Sequence, residues 1–178
     1  MTTGDHSKER KPIALIGPMG CGKSTIGHLM AERLGWPWVD LDLWIEKHES
    51  MSIREIFAEK GEAYFRHLEE EHIRLWTEQS PLILSLGGGA PCAPERWALL
   101  KEHFFTIYLK AEPEVLIDRL MQQRASRPLI AKGDDWESRF RDLLRERERY
   151  YTQADWTLET GSATREETAE HILEHVLQ

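Results

Sequence analysis

A parallel β-sheet covered on both faces by helices is the fold class the sequence predicts, and two features carry that prediction. Short apolar runs alternate along the chain with segments of helical period. The first passage from apolar run to helix also crosses a glycine-rich loop, the arrangement of a strand–loop–helix unit. Parallel strands joined by helices need a buried sheet, so its strands read as continuous apolar segments.

The elements follow in order. Ile13–Ile16 comes after Pro12 and stops at Gly17, as a short buried strand entering a glycine turn does. From Lys23 the period changes: Ile26, Leu29, Met30 and Leu34 share a helical face, and Gly35 supplies the stop. A second strand is expected over 38–41, then helices over 43–48 and 53–60. A longer helix places Phe65, Leu68, His72 and Leu75 on one face. Residues 82–86 form an apolar run ending in Gly87, Gly88 and Gly89. Residues 104–109 form another, followed by a helix opened near Pro113. Between 124 and 135 periodicity is lost and Pro128 and Gly133 enter, the composition of a surface loop before a helix over Trp136–Tyr151. A last strand over 156–158 precedes a helix running to Gln178, with Thr164 and Glu167 spaced as a capping box.

At 178 residues the chain is long enough for one domain to close a core without disulfides or a structural metal. A flexible tail over 1–11 is expected before a single domain over 12–178. No window approaches the roughly 18 apolar residues of a membrane span, and the polar start lacks the apolar core of a secretory signal. A cytoplasmic protein is therefore expected. Cys21 and Cys92 stand far apart with no paired histidines or cysteines, so they read as reduced thiols in small slots. A net charge of −8 disfavours binding to nucleic acid. No heptad seam suggests an oligomer, so a monomer is expected.

Gly17 to Ser24 match G-x-x-x-x-G-K-[ST], between a buried strand and a helix start. In such a loop backbone N–H groups turn toward phosphates, and the helix N-terminus adds positive potential. Gly20, Cys21, Gly22, Lys23, Ser24 and Thr25 form the expected nucleotide-binding set. Lys23 would reach the β- and γ-oxygens and Ser24 would ligate Mg²⁺.

A phosphate loop leaves ATPases, GTPases and several kinases open. Asp40-Leu41-Asp42 closes the second strand, and period two puts both carboxylates on one face at the carboxyl edge of the sheet. One could then hold Mg²⁺ and the other accept a hydroxyl proton. The alternative is a strand-end turn with Asp42 capping the next helix. Arg66 and Glu69 are spaced for an ion pair that would hold the guanidinium, or for a plain solvated helix face. Gly87, Gly88 and Gly89 suit close approach of backbone to a ligand, or an ordinary loop. Trp36, Trp38, Trp44 and Trp76 read as packing residues.

Taken in order, GPMGCGKSTIG, VDLDLWIE, SIREIFAEKGEAYFRHLEEE, SLGGGA, SRPLI and RERERYY resemble the shikimate kinase family from Ile13 to about Leu177. The resemblance implies a three-layer P-loop NTPase fold with a five-stranded parallel sheet of the nucleoside-monophosphate-kinase type, and a lid over about 122–135. It implies ATP and Mg²⁺ as cofactors and shikimate as acceptor, phosphorylated on its 3-hydroxyl. By the same resemblance Asp42, Arg66, Gly87, Gly88, Gly89 and Arg147 would hold shikimate, with both arginines on its carboxylate. Lys23, Asp42 and Arg127 would be the catalytic set, with Arg127 the lid cation; Asp40 would join Ser24 at the metal, and Arg119 would pack on adenine. Read without the resemblance, Arg127 is a loop charge and Arg147 one of several helix arginines at ion-pair spacing. Kinases of other small polyol acids such as gluconate, and a nucleotide-binding module without turnover, are the other readings.

Overall fold

The computed structural model describes residues 11–122 and 135–177. Five strands, β1 (Ile13–Ile16), β2 (Trp38–Asp40), β3 (Ile83–Ser85), β4 (Phe105–Lys110) and β5 (Trp156–Glu159), pair in parallel in the order β2-β3-β1-β4-β5. Ile13 of the central strand lies beside Ile83 on one side and Phe105 on the other. Strand period two sends Ile13 and Leu15 into one core layer and Ala14 and Ile16 into the other. All four are buried, which is why β1 is apolar without alternation.

On the first face α1 (Lys23–Leu34) packs beside α8 (Arg165–Val176), burying Ile26, Met30, Ile172 and Leu173. Gly35 ends α1 in the left-handed region, donating to the Ala31 carbonyl, and Thr164 and Glu167 close the expected capping box on α8. On the second face α2 (Leu41–Glu49), α3 (Ile53–Glu59) and α4 (Glu62–Leu75) form a small helical group. A second capping box, Ser52 with Glu55, starts α3. Trp44 meets Trp76 edge to face at 5.0 Å and donates its indole N–H to His72, within this group. Helix α6 (Pro113–Gln122) precedes α7 (Trp136–Tyr151).

Four sequence expectations are corrected. The second strand ends at Asp40 and Leu41 already begins α2, so strand period does not apply to Asp40 and Asp42. The cap of that helix is Asp40, whose carboxylate accepts from the Leu43 N–H at 3.2 Å, rather than Asp42. On α4 the apolar face turns to Ile73 and leaves Leu75 54% exposed, because the helix ends there. A helix over Pro94–His103, α5, fills the stretch between the glycines and β4 where no element is expected. Pro94 sits in its first turn, the position where a missing N–H costs nothing. The tail over 1–10 and the lid over 123–134, with Arg127 and Pro128, lie outside the described residues.

Candidate active site

Helix α1 starts without a side-chain cap and with no acidic residue in its first turn. Its free N–H groups therefore meet the cleft directly, the local requirement for holding a phosphate. Gly22, the residue before it, has φ of 100°, which side-chain-bearing residues rarely adopt, and a Cβ there would lie 2.6 Å from the Arg165 side chain. Lys23 donates to the carbonyls of Gly17 at 2.8 Å and Pro18 at 2.9 Å, and Ser24 donates to the Asp40 carboxylate. Cys21 is fully buried in the core beneath the loop, as a small filler.

Gly22, Lys23, Ser24 and Arg165, though not Cys21, wall a cleft of about 400 Å³ that also takes in Thr25, Asp40, Asp42, Gly87 and Gly88. Asp40 and Asp42 thus share one cleft, through a helix turn rather than a strand face. Asp42 has one carboxylate oxygen buried without a hydrogen-bond partner among the described residues. Burial, reinforced by the charges of Asp40 and Glu69 and opposed by Lys23, pushes its carboxyl up to about 6.

Gly87 leaves the room in which that carboxylate stands, since a Cβ there would fall 2.5 Å from Asp42 Oδ1. Gly87→Ala is expected to displace Asp42 and lower acceptor-dependent turnover by roughly tenfold or more, because misplacement of about 1 Å is costly at a reacting centre. Steady-state rates, with nucleotide affinity as the internal control, check this. Tyr151, fully buried, donates its hydroxyl to the Gly88 carbonyl at 2.6 Å and so sets the glycine turn from α7.

A second cleft, of about 330 Å³, is walled by Arg66, Gly89, Arg96, Arg147 and Arg149. Arg147 and Leu143 wall both clefts. Arg66 is held by Glu69 at 2.8 Å and by Glu62 at 3.0 Å, so the ion pair anticipated on α4 is buried rather than solvated. Burial pushes the Glu69 carboxyl up, with Arg66 opposing.

Of the expected residues, Gly20, Gly22, Lys23, Ser24, Thr25, Asp40, Asp42, Gly87, Gly88, Gly89, Arg66 and Arg147 wall this double cleft. Arg119 walls neither part; it donates to the Thr160 carbonyl at 2.9 Å beside Arg165. Among the wall residues that were not anticipated are two cations, Arg165 over the phosphate loop and Arg96 on α5. Both are cations in the first turn of a helix, against the helix dipole, and that local misfit is the signal by which they are legible.

The model of a family described as shikimate kinase matches residues 19–177. The chain is 39% identical over 166 residues to a shikimate kinase of Flavobacterium johnsoniae, covering 91% of this chain and 96% of the relative. It is 40% identical over 163 residues to that of Thermodesulfovibrio yellowstonii, with 92% and 93% covered. Among solved structures, shikimate kinase from Acinetobacter baumannii in complex with shikimate superposes with a TM-score of 0.86 at 34% identity, covering 94% of this chain and 93% of that one.

Proposed function

This chain belongs to the shikimate kinase family, and from that premise we propose that it transfers the γ-phosphoryl group of ATP to the 3-hydroxyl of shikimate. The observation that carries the reading is the double cleft, a phosphate loop on one side and an arginine-rich pocket on the other, sharing Arg147 and Leu143 as a wall. Such a pocket suits a small carboxylated acceptor, and the phosphate loop brings a nucleotide to its edge.

The division of labour follows from position. The first-turn N–H groups of α1 and the Lys23 ammonium take the phosphates, offsetting charge as it spreads over the transferring group. Asp42 lines the same cleft, one of its oxygens without a partner among the described residues, and orients the acceptor hydroxyl, receiving its proton in an in-line transfer without a phosphoenzyme. Arg66 and Arg147 grip the acceptor carboxylate, while Gly87, Gly88 and Gly89 admit the acceptor ring. Arg127 closes over the phosphates and Arg119 packs on adenine, roles that rest on the family resemblance.

Ser24 and Asp40 fit Mg²⁺ by the chemistry of their donors: a hydroxyl and a carboxylate in contact at the mouth of the phosphate loop are hard oxygen ligands, and this ion takes one or two such groups alongside phosphate oxygens and water. When bound it would neutralise charge on the β- and γ-phosphates. Acting on small molecules as a cytoplasmic monomer completes the reading. No helix among the described residues is long and apolar enough to cross a membrane.

The test is acceptor-dependent ADP release with Mg²⁺-ATP, comparing shikimate, quinate, gluconate and no acceptor. Release that requires shikimate supports the reading. Release with gluconate alone moves the substrate, and nucleotide binding without release overturns the kinase reading. Arg66→Lys is expected to raise KM for shikimate about tenfold or more, with KM for ATP within about twofold, because an ammonium cannot reproduce the planar fork held by Glu62 and Glu69. Equal losses for both ligands would count against Arg66 as the clamp.

A further inference from the structure

The charge balance of the acceptor pocket is not met by the arginine held in it. Arg66 donates to Glu62 through Nε and Nη2 and to Glu69 through Nη1, so two carboxylates surround one guanidinium. With all three ionised that group carries a net negative charge and would repel a carboxylate. Glu146 and Arg149, also in the wall, offset each other. The positive potential must come from cations without a carboxylate partner.

Among the described residues Arg96 is such a cation. It is 8% exposed, and its Nε donates to the Ala90 carbonyl at 2.7 Å, just past the glycine turn. That bond fixes the guanidinium plane against the pocket floor. Its two terminal amino groups make no hydrogen bond to a described residue and are not enclosed by protein, so they open onto the cleft. A buried guanidinium with one of its five donors used among the described residues, at the start of a helix whose dipole opposes it, is unfavourable for folding until an anion meets it. Its charge already acts inside the pocket, drawing down the carboxyl of Glu69 and the thiol of Cys92 against the effect of burial.

We propose that Arg96 is a specificity-determining residue of the acceptor site, its terminal N–H groups donating to the carboxylate of the acceptor beside Arg66 and Arg147. The assignment rests on the shikimate kinase reading above. It makes discrimination between an acid and its neutral ester depend on α5 as well as on α4 and α7.

The experiment compares shikimate with its methyl ester as acceptor for the wild type, Arg96→Gln and Arg96→Lys. Arg96→Gln is expected to raise KM for shikimate about tenfold, leaving KM for the ester, KM for ATP and kcat within about twofold, since one charge-assisted contact is lost. Arg96→Lys is expected to recover part of the acid preference. If Arg96→Gln does not fold, Arg96→Lys carries the comparison alone, with its rise in KM confined to the acid. Equal rises for acid and ester, or none for either, would overturn the assignment and leave Arg96 as a brace for Ala90. No shikimate-dependent ADP release from the wild type would overturn the kinase reading first, and this assignment with it.

Discussion

Asp42→Asn is expected to lower kcat by roughly 10²–10⁴-fold, the usual worth of a positioned proton acceptor, while making the protein more stable at pH 8. Both effects have one cause. The carboxylate stands in room left by Gly87, with one oxygen buried and unpartnered among the described residues and with Asp40 and Glu69 near enough to repel it. Its folded-state value, about 6, lies above the ordinary 3.8, so folding favours the protonated form. That favourable contribution is complete below pH about 4 and is lost as pH rises through about 6. Above that, the ionised group costs about 2–3 kcal/mol relative to an unfolded chain. Asparagine keeps the shape without the charge. The variant should therefore melt about 5 °C higher than the wild type at pH 8 and show no gain at pH 4, in melts run without nucleotide or Mg²⁺. In the wild type, kcat/KM for the acceptor should rise with pH and level above about 6. An Asn variant of near-normal kcat would remove Asp42 from proton transfer and leave it as a surface for the acceptor.

Lys23→Met should reduce kcat/KM for ATP by roughly 10²–10³-fold, the loss expected when one preorganised cation is taken from a developing phosphoryl charge. Methionine keeps the length and flexibility of the stem, so the change isolates the ammonium. That group now bonds the carbonyls of Gly17 and Pro18, holding the loop around the helix start. Melting should consequently fall by a few degrees without nucleotide, as two hydrogen bonds to a half-buried charge are lost. Acceptor KM should stay within about twofold, because the second cleft is walled by other residues. Nucleotide titration beside steady-state kinetics checks all three, and a loss confined to acceptor KM would assign Lys23 a different role.

What the sequence by itself determined is whatever depends on a few neighbouring residues. The first strand, the glycine loop, the stop at Gly35 and the capping box at Thr164 and Glu167 are read from backbone sterics and from hydrogen bonds spanning three or four positions. The helical period placed Phe65, Leu68 and His72 on the buried face of α4 and put Glu69 within reach of Arg66 for the same reason. Where a local pattern had two readings it failed, as at Asp40 and Asp42, where a strand end and a helix start look alike over three residues.

Only the tertiary structure decided which distant residues meet. The order β2-β3-β1-β4-β5 brings the end of β2 beside the end of β3, so Asp42 reaches Gly87, and α7 lays Arg147 across both clefts. Arg96 and Arg165 become wall residues through the same assembly, one from α5 and one from α8. In sequence each is an ill-placed charge in the first turn of a helix. That misfit is local and visible, but which pocket the charge enters is set by strand pairing and helix packing between segments far apart in the chain, and a local pattern carries no record of those contacts.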